Sequence, residues 1–140
     1  MNIGKLLASV NNKKNTYYNQ QLKKLELSHG QAFVIHAIGE KGMIQQDELT
    51  RNLEIDKSAV TRILKMLENK NIVKKCVDTR DRRGYKIFLT DEGKKLYPKV
   101  NQIIRNVNMT LCHGMSEDEQ DLLFDLLLKM KNNLEINDEK

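Results

Sequence analysis

The sequence predicts a mainly α-helical fold with one small β-hairpin. Aromatic residues make up only 5% of the chain, with one Pro and no Trp, and this composition favours helices over an all-β sandwich. Apolar residues recur at helical spacing along most of the sequence, whereas the longer β-favouring runs are confined to residues 72–90. With 140 residues, the chain is long enough for one compact domain with an apolar core.

The first two predicted helices precede this β-favouring region. Loose helical periodicity over residues 3–25 predicts a long first helix. Ser28 and Gln31 have the spacing of a capping box in front of the nearly all-apolar run 32–38. That run should form a central, buried helix that stops at the glycines between 39 and 42.

A helix-turn-helix is predicted next. After a short strand at 43–44, a short helix over 46–53 leads to a second helix over 57–70, for which Asp56 is a plausible cap. At about 100° per residue, the apolar and polar side chains of this second helix fall on separate arcs as far as Glu68. The apolar arc contains Ala59, Val60, Ile63, Leu64, Met66 and Leu67, and the polar arc contains Lys57, Ser58, Thr61, Arg62, Lys65 and Glu68.

The β-favouring runs 72–78 and 85–90 predict a hairpin. Asn71 can adopt the left-handed cap conformation that Gly more often supplies at a helix end. Between the two runs, Asp81 and Gly84 provide turn chemistry within a highly charged tip. Because this hairpin should extend beyond the core, it forms a wing.

Two further helices complete the chain. Thr90 is the predicted cap of a helix with an apolar stripe over 96–111, which Pro98 should bend unless the helix begins later. Ser116 and Glu119 predict a second capping box that opens a final helix. This final helix is apolar nearly all round.

The charge of the chain is unevenly distributed. The formal net charge is +5, but residues 117–140 contain eight acidic and three basic residues and so carry −5, which leaves +10 on residues 1–116. A strongly basic body suggests a polyanionic partner, of which nucleic acid is the simplest.

Several classes of protein are excluded by what the sequence lacks. No stretch approaches the roughly 20 apolar residues of a membrane span, and the apolar run 6–10 is too short for a signal peptide, so we expect a cytoplasmic protein without membrane contacts. Cys76 and Cys112 are too few and too far apart for a disulfide framework. The absence of HExxH, GxSxG, P-loop and GxGxxG motifs, with only three scattered His, predicts no enzyme activity, metal or cofactor.

A helix-turn-helix followed directly by a hairpin, here over roughly residues 29–90, is the winged helix-turn-helix arrangement. Its most specific motifs are Ser58-Ala59-Val60-Thr61-Arg62 with Leu67-Glu68, Asp78-Thr79-Arg80-Asp81-Arg82-Arg83, and Leu89-Thr90-Asp91-Glu92-Gly93. In their order and spacing they resemble the MarR family of bacterial regulators, and the resemblance covers nearly the whole chain. The sequence departs from the family at two positions. Asn71 stands where the family often has Gly, and Lys75 stands where an arginine is common. A lysine cannot make the bidentate hydrogen bonds of an arginine.

The resemblance implies a single domain over residues 1–140, with the winged helix-turn-helix at 28–90 and dimerisation helices at 1–27 and 91–140. It implies a transcription regulator that binds double-stranded DNA sequence-specifically as a homodimer, at a pseudo-palindromic operator. It further implies repression that a small-molecule effector relieves. Alternatives are a monomer, a winged module that binds RNA or protein, and a redox-sensing regulator that uses Cys76 or Cys112.

Five side chains of the polar arc are the candidate DNA contacts on the recognition helix. Ser58, Thr61 and Arg62 suit the edges of bases in the major groove. Lys57 and Lys65 suit phosphates, which position a protein without reading sequence. The alternative is that these lysines merely solvate an ordinary surface helix.

The wing tip supplies Arg80, Asp81, Arg82 and Arg83 as further DNA-binding candidates. The arginines of the tip repel one another, and binding in a narrow, strongly negative minor groove of DNA would offset this repulsion. The alternative is that the charge only prevents the edge of the sheet from pairing with another strand. The resemblance implies that one arginine, Arg82 or Arg83, enters the minor groove while Asp81 orients a neighbouring guanidinium.

The resemblance also implies an effector pocket where the dimerisation helices meet the winged domain. Tyr17, Tyr18, His36 and Met43 are the candidates to line it. For each of them the alternative is an ordinary core side chain.

Overall fold

The computed structural model describes residues 1–77 and 84–138, with side chains as far as residue 135. The predicted fold class is confirmed, because the described chain is mostly helical with a small antiparallel sheet. No helix of the described chain is long and apolar enough to cross a membrane. The elements are α1 (Ile3–Leu22), a 3-10 turn (Lys23–Leu25), α2 (His29–Lys41), β1 (Met43–Gln45), α3 (Gln46–Leu53), α4 (Lys57–Asn69), β2 (Val73–Val77), β3 (Tyr85–Leu89), α5 (Asp91–Leu111) and α6 (Glu117–Asp138).

The sheet contains a third strand besides the predicted hairpin. Its order is β1-β3-β2, and both pairings are antiparallel. Ile44 of β1 pairs with Ile87 of β3, which in turn pairs with Lys75 of β2. The short strand predicted at residues 43–44 therefore anchors the base of the wing.

Residues 1–107 form one compact unit with its own apolar core. Helix α2 lies at its centre, as predicted, since four of its apolar residues are less than 1% exposed. Ser28 and Gln31 form the predicted capping box: the Gln31 N–H donates to Ser28 Oγ at 3.3 Å, and the Ser28 N–H donates to Gln31 Oε1 at 3.2 Å. The largest fully buried side chains of the unit are Leu22, Ile35, Ile38, Ile44, Leu49, Leu64, Leu67 and Ile87.

Helix α2 continues through Gly39 and ends at Lys41, at the far end of the predicted range. The ring of Tyr97 on α5 occupies the space that a Cβ at Gly39 would need. Gly39 therefore permits close packing of α5 on α2, whereas Gly42, with φ of 79°, is the residue that ends the helix.

A tight joint connects α4, the wing and α5. Asn71 adopts the predicted left-handed conformation with φ of 61°. The Thr90 hydroxyl accepts the Gly93 N–H at 3.1 Å, which confirms Thr90 as the cap of α5, and it donates to the Asn71 carbonyl at 2.7 Å. A Cβ at Gly93 would overlap the carbonyl oxygen of Ile72. The Leu-Thr-Asp-Glu-Gly motif thus brings the exit of the wing against the end of α4.

Residues 108–138 form a second unit, dominated by α6. The predicted capping box is present, because the Ser116 N–H donates to Glu119 Oε1 at 3.0 Å and the Glu119 N–H donates to Ser116 Oγ at 3.1 Å. Hydrogen bonds from the Ser116 backbone N–H, and then from the Ser116 side chain, to the carboxylate lower the pKa of Glu119. None of residues 108–135 is buried in the single chain, and the exposed apolar side chains of α6 are Leu122, Leu123, Phe124, Leu126, Leu127, Leu128 and Leu134.

Candidate nucleic-acid interface

Helix α4 presents its predicted polar arc to solvent and its apolar arc to the core. Val60, Leu64 and Leu67 are fully buried. Met66 differs from the prediction, because it is 45% exposed and its sulfur lies 3.9 Å from the side-chain nitrogen of Gln31, at the edge of the apolar arc. Asp56 occupies the N-cap position but its side chain makes no capping hydrogen bond.

Four of the five candidate DNA contacts on α4 are exposed and uncommitted. Lys57, Ser58, Arg62 and Lys65 make no side-chain hydrogen bond or ion pair with the residues that the structure describes. Long cations and a hydroxyl without internal partners are available for an external anion or a base edge.

Thr61 is exposed like its neighbours, but its hydroxyl is already bound. It donates to the Lys57 carbonyl at 2.9 Å and accepts the side-chain N–H of Gln46 at 3.1 Å. Gln46 is the first residue of α3, so this bond connects the two helices of the helix-turn-helix on their outer face. Gln46 is not among the residues predicted from the sequence, and nothing local in the sequence indicates the contact, because the partners lie on different helices.

Lys75 connects the wing to α4. Its Nζ lies 3.4 Å from Glu68 Oε1 and 5.7 Å from the centroid of the Tyr85 ring. The side chain is only 23% exposed, so a long cation that could have faced solvent instead couples β2 to the last turns of the recognition helix. Glu68 lies on the polar arc of α4, as its spacing predicted, and its ion-pair partner is Lys75.

The predicted wing-tip contacts Arg80, Asp81, Arg82 and Arg83 lie outside the described residues. Strands β2 and β3, which precede and follow these residues, are paired along their whole length, from Val73 opposite Leu89 to Val77 opposite Tyr85.

A cavity of about 580 Å³ lies beside the recognition helix, within residues 1–107. Helices α1 to α4 and the turn before α4 all contribute to it. Of the residues predicted for an effector pocket, only His36 lines this cavity. The complete lining is Asn11, Lys14, Asn15, His29, Gly30, Phe33, His36, Ala37, Asn52, Leu53, Ile55 and Ile63.

The other predicted pocket residues lie elsewhere. Tyr18 is 3% exposed and packs edge-on against Phe33 with ring centroids 5.0 Å apart, and burial raises the pKa of its hydroxyl. Tyr17 lines a separate depression of about 340 Å³ along α1. Met43 is 49% exposed on the edge strand β1. The structure therefore does not bring these residues together with His36.

His36 is held between α2 and α5 by polar contacts. Its Nδ1 lies 2.7 Å from Asn101 Oδ1, its Nε2 lies 3.5 Å from Glu40 Oε1, and its ring stacks against Tyr97.

Neither cysteine is in a disulfide, with Cys76 exposed on β2 and Cys112 half-buried. Among the described residues, no three His, Cys, Asp or Glu side chains are grouped as ligands for a metal ion.

Comparison with known proteins gives a match to the MarR family. The MarR family model matches residues 27–85. A curated relative in Bacillus subtilis, the uncharacterized HTH-type transcriptional regulator YybA, is 27% identical over 117 residues, which cover 84% of this chain and 78% of the relative.

Two solved structures with this fold extend the match. A mutant MarR from E. coli, crystallised with operator DNA, superposes with a TM-score of 0.84 at 29% identity, covering 91% of this chain and 92% of its own. A MarR protein from Peptoclostridium difficile gives a TM-score of 0.90 at 26% identity, covering 98% and 90%. Members of this family are transcription regulators and not enzymes. In its winged helix-turn-helix and in these matches, the chain is similar to the MarR family of transcription regulators.

Proposed function

We propose that this protein is a transcription regulator that binds a pseudo-palindromic DNA operator as a homodimer, with α4 in the major groove and the wing in the minor groove. The observation that carries the proposal is the exposed set Lys57, Ser58, Arg62 and Lys65 on one arc of α4, without internal partners among the described residues. An α-helix fits the B-DNA major groove, where arginine and hydroxyl side chains distinguish base edges and lysines neutralise phosphates. The E. coli relative crystallised with operator DNA supports this choice of partner. A DNA-bound regulator of this kind would act in the cytoplasm.

The homodimer would be formed through the terminal helices. The apolar side chains of α6 are exposed in the single chain, and contiguous apolar surface of this kind is typical of interfaces between subunits. In a twofold dimer, two copies of α4 would lie about one DNA turn, or a multiple of it, apart. This geometry would require a pseudo-palindromic operator.

We further propose that an organic anion relieves repression by binding in the 580 Å³ cavity. Lys14 contributes a positive charge, His29 contributes a ring nitrogen, Phe33 contributes an aromatic wall, and no carboxylate lies among the lining residues. Ile63 of α4 forms part of the wall, so occupancy can shift the recognition helix. The effector class is therefore a small aromatic carboxylate.

The test of DNA binding begins with selection of fragments from random duplex DNA by the purified protein. Fluorescence anisotropy on the selected site should give tight binding that falls steeply with salt and is at least about a thousandfold weaker on scrambled duplex. Binding that ignores sequence, or a preference for RNA, would contradict the proposal. Adding benzoate as a probe should then weaken binding in the wild type and have less effect in Lys14→Ala.

A further inference from the structure

Thr61 is the only candidate DNA contact on α4 whose polar group is committed within the described chain. Its hydroxyl hydrogen is directed to the Lys57 carbonyl at 2.9 Å, and its oxygen accepts the Gln46 amide at 3.1 Å. To donate to a base, this hydroxyl would have to break the bond to Lys57.

Other threonines show that the helix alone does not impose this arrangement. Thr16 and Thr50 also donate to the carbonyl four residues earlier, each at 3.0 Å. For neither of them does the described structure give a second side-chain partner. Thr61 is held from both sides, and what remains without a partner in this exposed side chain is its γ-methyl group and one acceptor lone pair of its oxygen, which Thr61→Val would remove while keeping the methyl group.

We propose that Gln46 is a positioning residue that fixes Thr61 so that the recognition helix identifies a thymine through the Thr61 methyl group. The inference rests on the proposed function, because it assumes that α4 lies in the major groove. There, thymine presents a C5-methyl group that no other base has, and threonine methyl groups are suited to contact it. An apolar contact also requires no hydroxyl donor, in agreement with the bonds that Thr61 already makes.

Operators in which single thymines are replaced by deoxyuridine test this contact directly, because only the C5-methyl group is lost. In the selected operator, replacing the thymine that Thr61 contacts in one half-site should lower the affinity about fourfold, which is the effect of removing one methyl group from an apolar contact. Replacing the symmetry-related thymine in the other half-site should have the same effect. Thr61→Val keeps the methyl group and should retain both the affinity, within about twofold, and the sensitivity to deoxyuridine. Thr61→Ser keeps the hydroxyl and should lose that sensitivity. If Thr61→Ser stays sensitive, or no thymine is sensitive, the inference is wrong.

The role of Gln46 requires a variant of equal length without the N–H donor. Gln46→Met should reduce the deoxyuridine effect in the wild-type background and have no effect on binding in the Thr61→Val background, where no hydroxyl remains to be held. An equal loss in both backgrounds would mean that Gln46 contacts DNA by itself and would overturn its positioning role. Thr50→Val removes a comparable helical hydrogen bond and serves as the matched control, with no change in the deoxyuridine effect.

The two proposals fail in different ways. If the wild-type protein binds all duplexes equally, the proposed function fails and the thymine contact fails with it. If binding is sequence-specific but Thr61→Val loses affinity more than about tenfold, the proposed function stands and the methyl contact is wrong. Thermal unfolding of each variant should match the wild type, because Gln46 and Thr61 lie outside the apolar core.

Discussion

The two compact units of this chain use apolar residues in opposite ways. Among the described residues of the 1–107 unit, nineteen apolar side chains are buried in a single cluster. Among residues 108–135 none is buried, although α6 has one of the highest densities of leucine in the sequence. The first unit therefore contains its own core, whereas the second has apolar surface that a single chain leaves in water.

The difference shows that a high apolar content does not indicate what a helix packs against. Helix α2 has a nearly all-apolar run and lies at the centre of its own unit. Helix α6 is also rich in apolar residues, but burying them requires a partner, which we propose to be a second copy of the chain. Variants that affect one unit and not the other can test this distinction.

The largest effect is expected from a charge on the apolar surface of α6. Leu123 and Leu127 lie one helical turn apart and are both exposed. Leu127→Asp should weaken the dimer at least about a hundredfold, because each copy loses a leucine contact worth roughly 1.5–3 kcal/mol and gains a charge. Analytical ultracentrifugation should show monomers, and operator binding should fall accordingly.

The control is Asn132→Asp, which adds the same charge to α6 at an exposed polar position and should leave the dimer intact. Amide NMR signals of residues 29–77 and 84–107 should persist in Leu127→Asp, since their core is internal to the unit. Loss of those signals would show that the first unit does not fold without the dimer.

The next effect concerns the core of the first unit. Gly93→Ala should lower the free energy of unfolding by about 2–3 kcal/mol, because the added Cβ meets the Ile72 carbonyl, which belongs to the backbone and cannot rotate away. Urea unfolding at a fixed protein concentration measures the change. Gly4→Ala, where the nearest atom is 3.7 Å from the added Cβ, should be neutral or slightly stabilising. Equal stability of the two variants would contradict the tight joint at Gly93.

The features that the sequence predicted well depend on local spacing. Both capping boxes, the left-handed Asn71 and the Thr90 cap require only partners within a few residues, and all four are present. Helical periodicity also predicted the apolar and polar arcs of α4. The exception is Met66, which the periodicity places on the apolar arc but which is exposed at its edge. The fold class and the resemblance to the MarR family followed because such local signals occur in the order of a winged helix-turn-helix.

The features that the sequence did not predict depend on contacts between elements. Gly39 lies within α2, where its missing side chain leaves room for the Tyr97 ring of α5, a contact that the sequence of α2 alone does not indicate. The bonds from Gln46 to Thr61 and from Lys75 to Glu68 join separate elements, so no spacing within one element indicates them. The lining of the cavity combines residues from four helices for the same reason.

A smaller effect, confined to DNA binding, is expected from the exposed arc of α4. Arg62→Ala should lose about 1–3 kcal/mol on the selected operator and relax base preference at one position. Lys65→Ala should weaken all duplexes about equally and reduce the salt dependence by about one phosphate contact. Neither variant should change unfolding or dimerisation, because both side chains are exposed and have no partner in the described chain. Equal behaviour of the two variants in anisotropy titrations would refute the division between base and phosphate contacts.

The smallest effect concerns the first turn of α6, which is held by the Ser116–Glu119 capping box. The backbone and then the side chain of Ser116 bind the Glu119 carboxylate and lower its pKa. Because the pKa of Glu119 is lower in the folded helix than in the unfolded chain, the ionised carboxylate stabilises this turn. The stabilisation is fully present at a pH above the ordinary pKa of glutamate, and it is lost as the pH falls through the lowered pKa. Ser116→Ala removes only the hydroxyl, so an NMR titration should show the Glu119 pKa rising part of the way, whereas Ser116→Thr should keep it low. A full return in Ser116→Ala would show that the hydroxyl, and not the backbone N–H, holds the carboxylate at the start of α6.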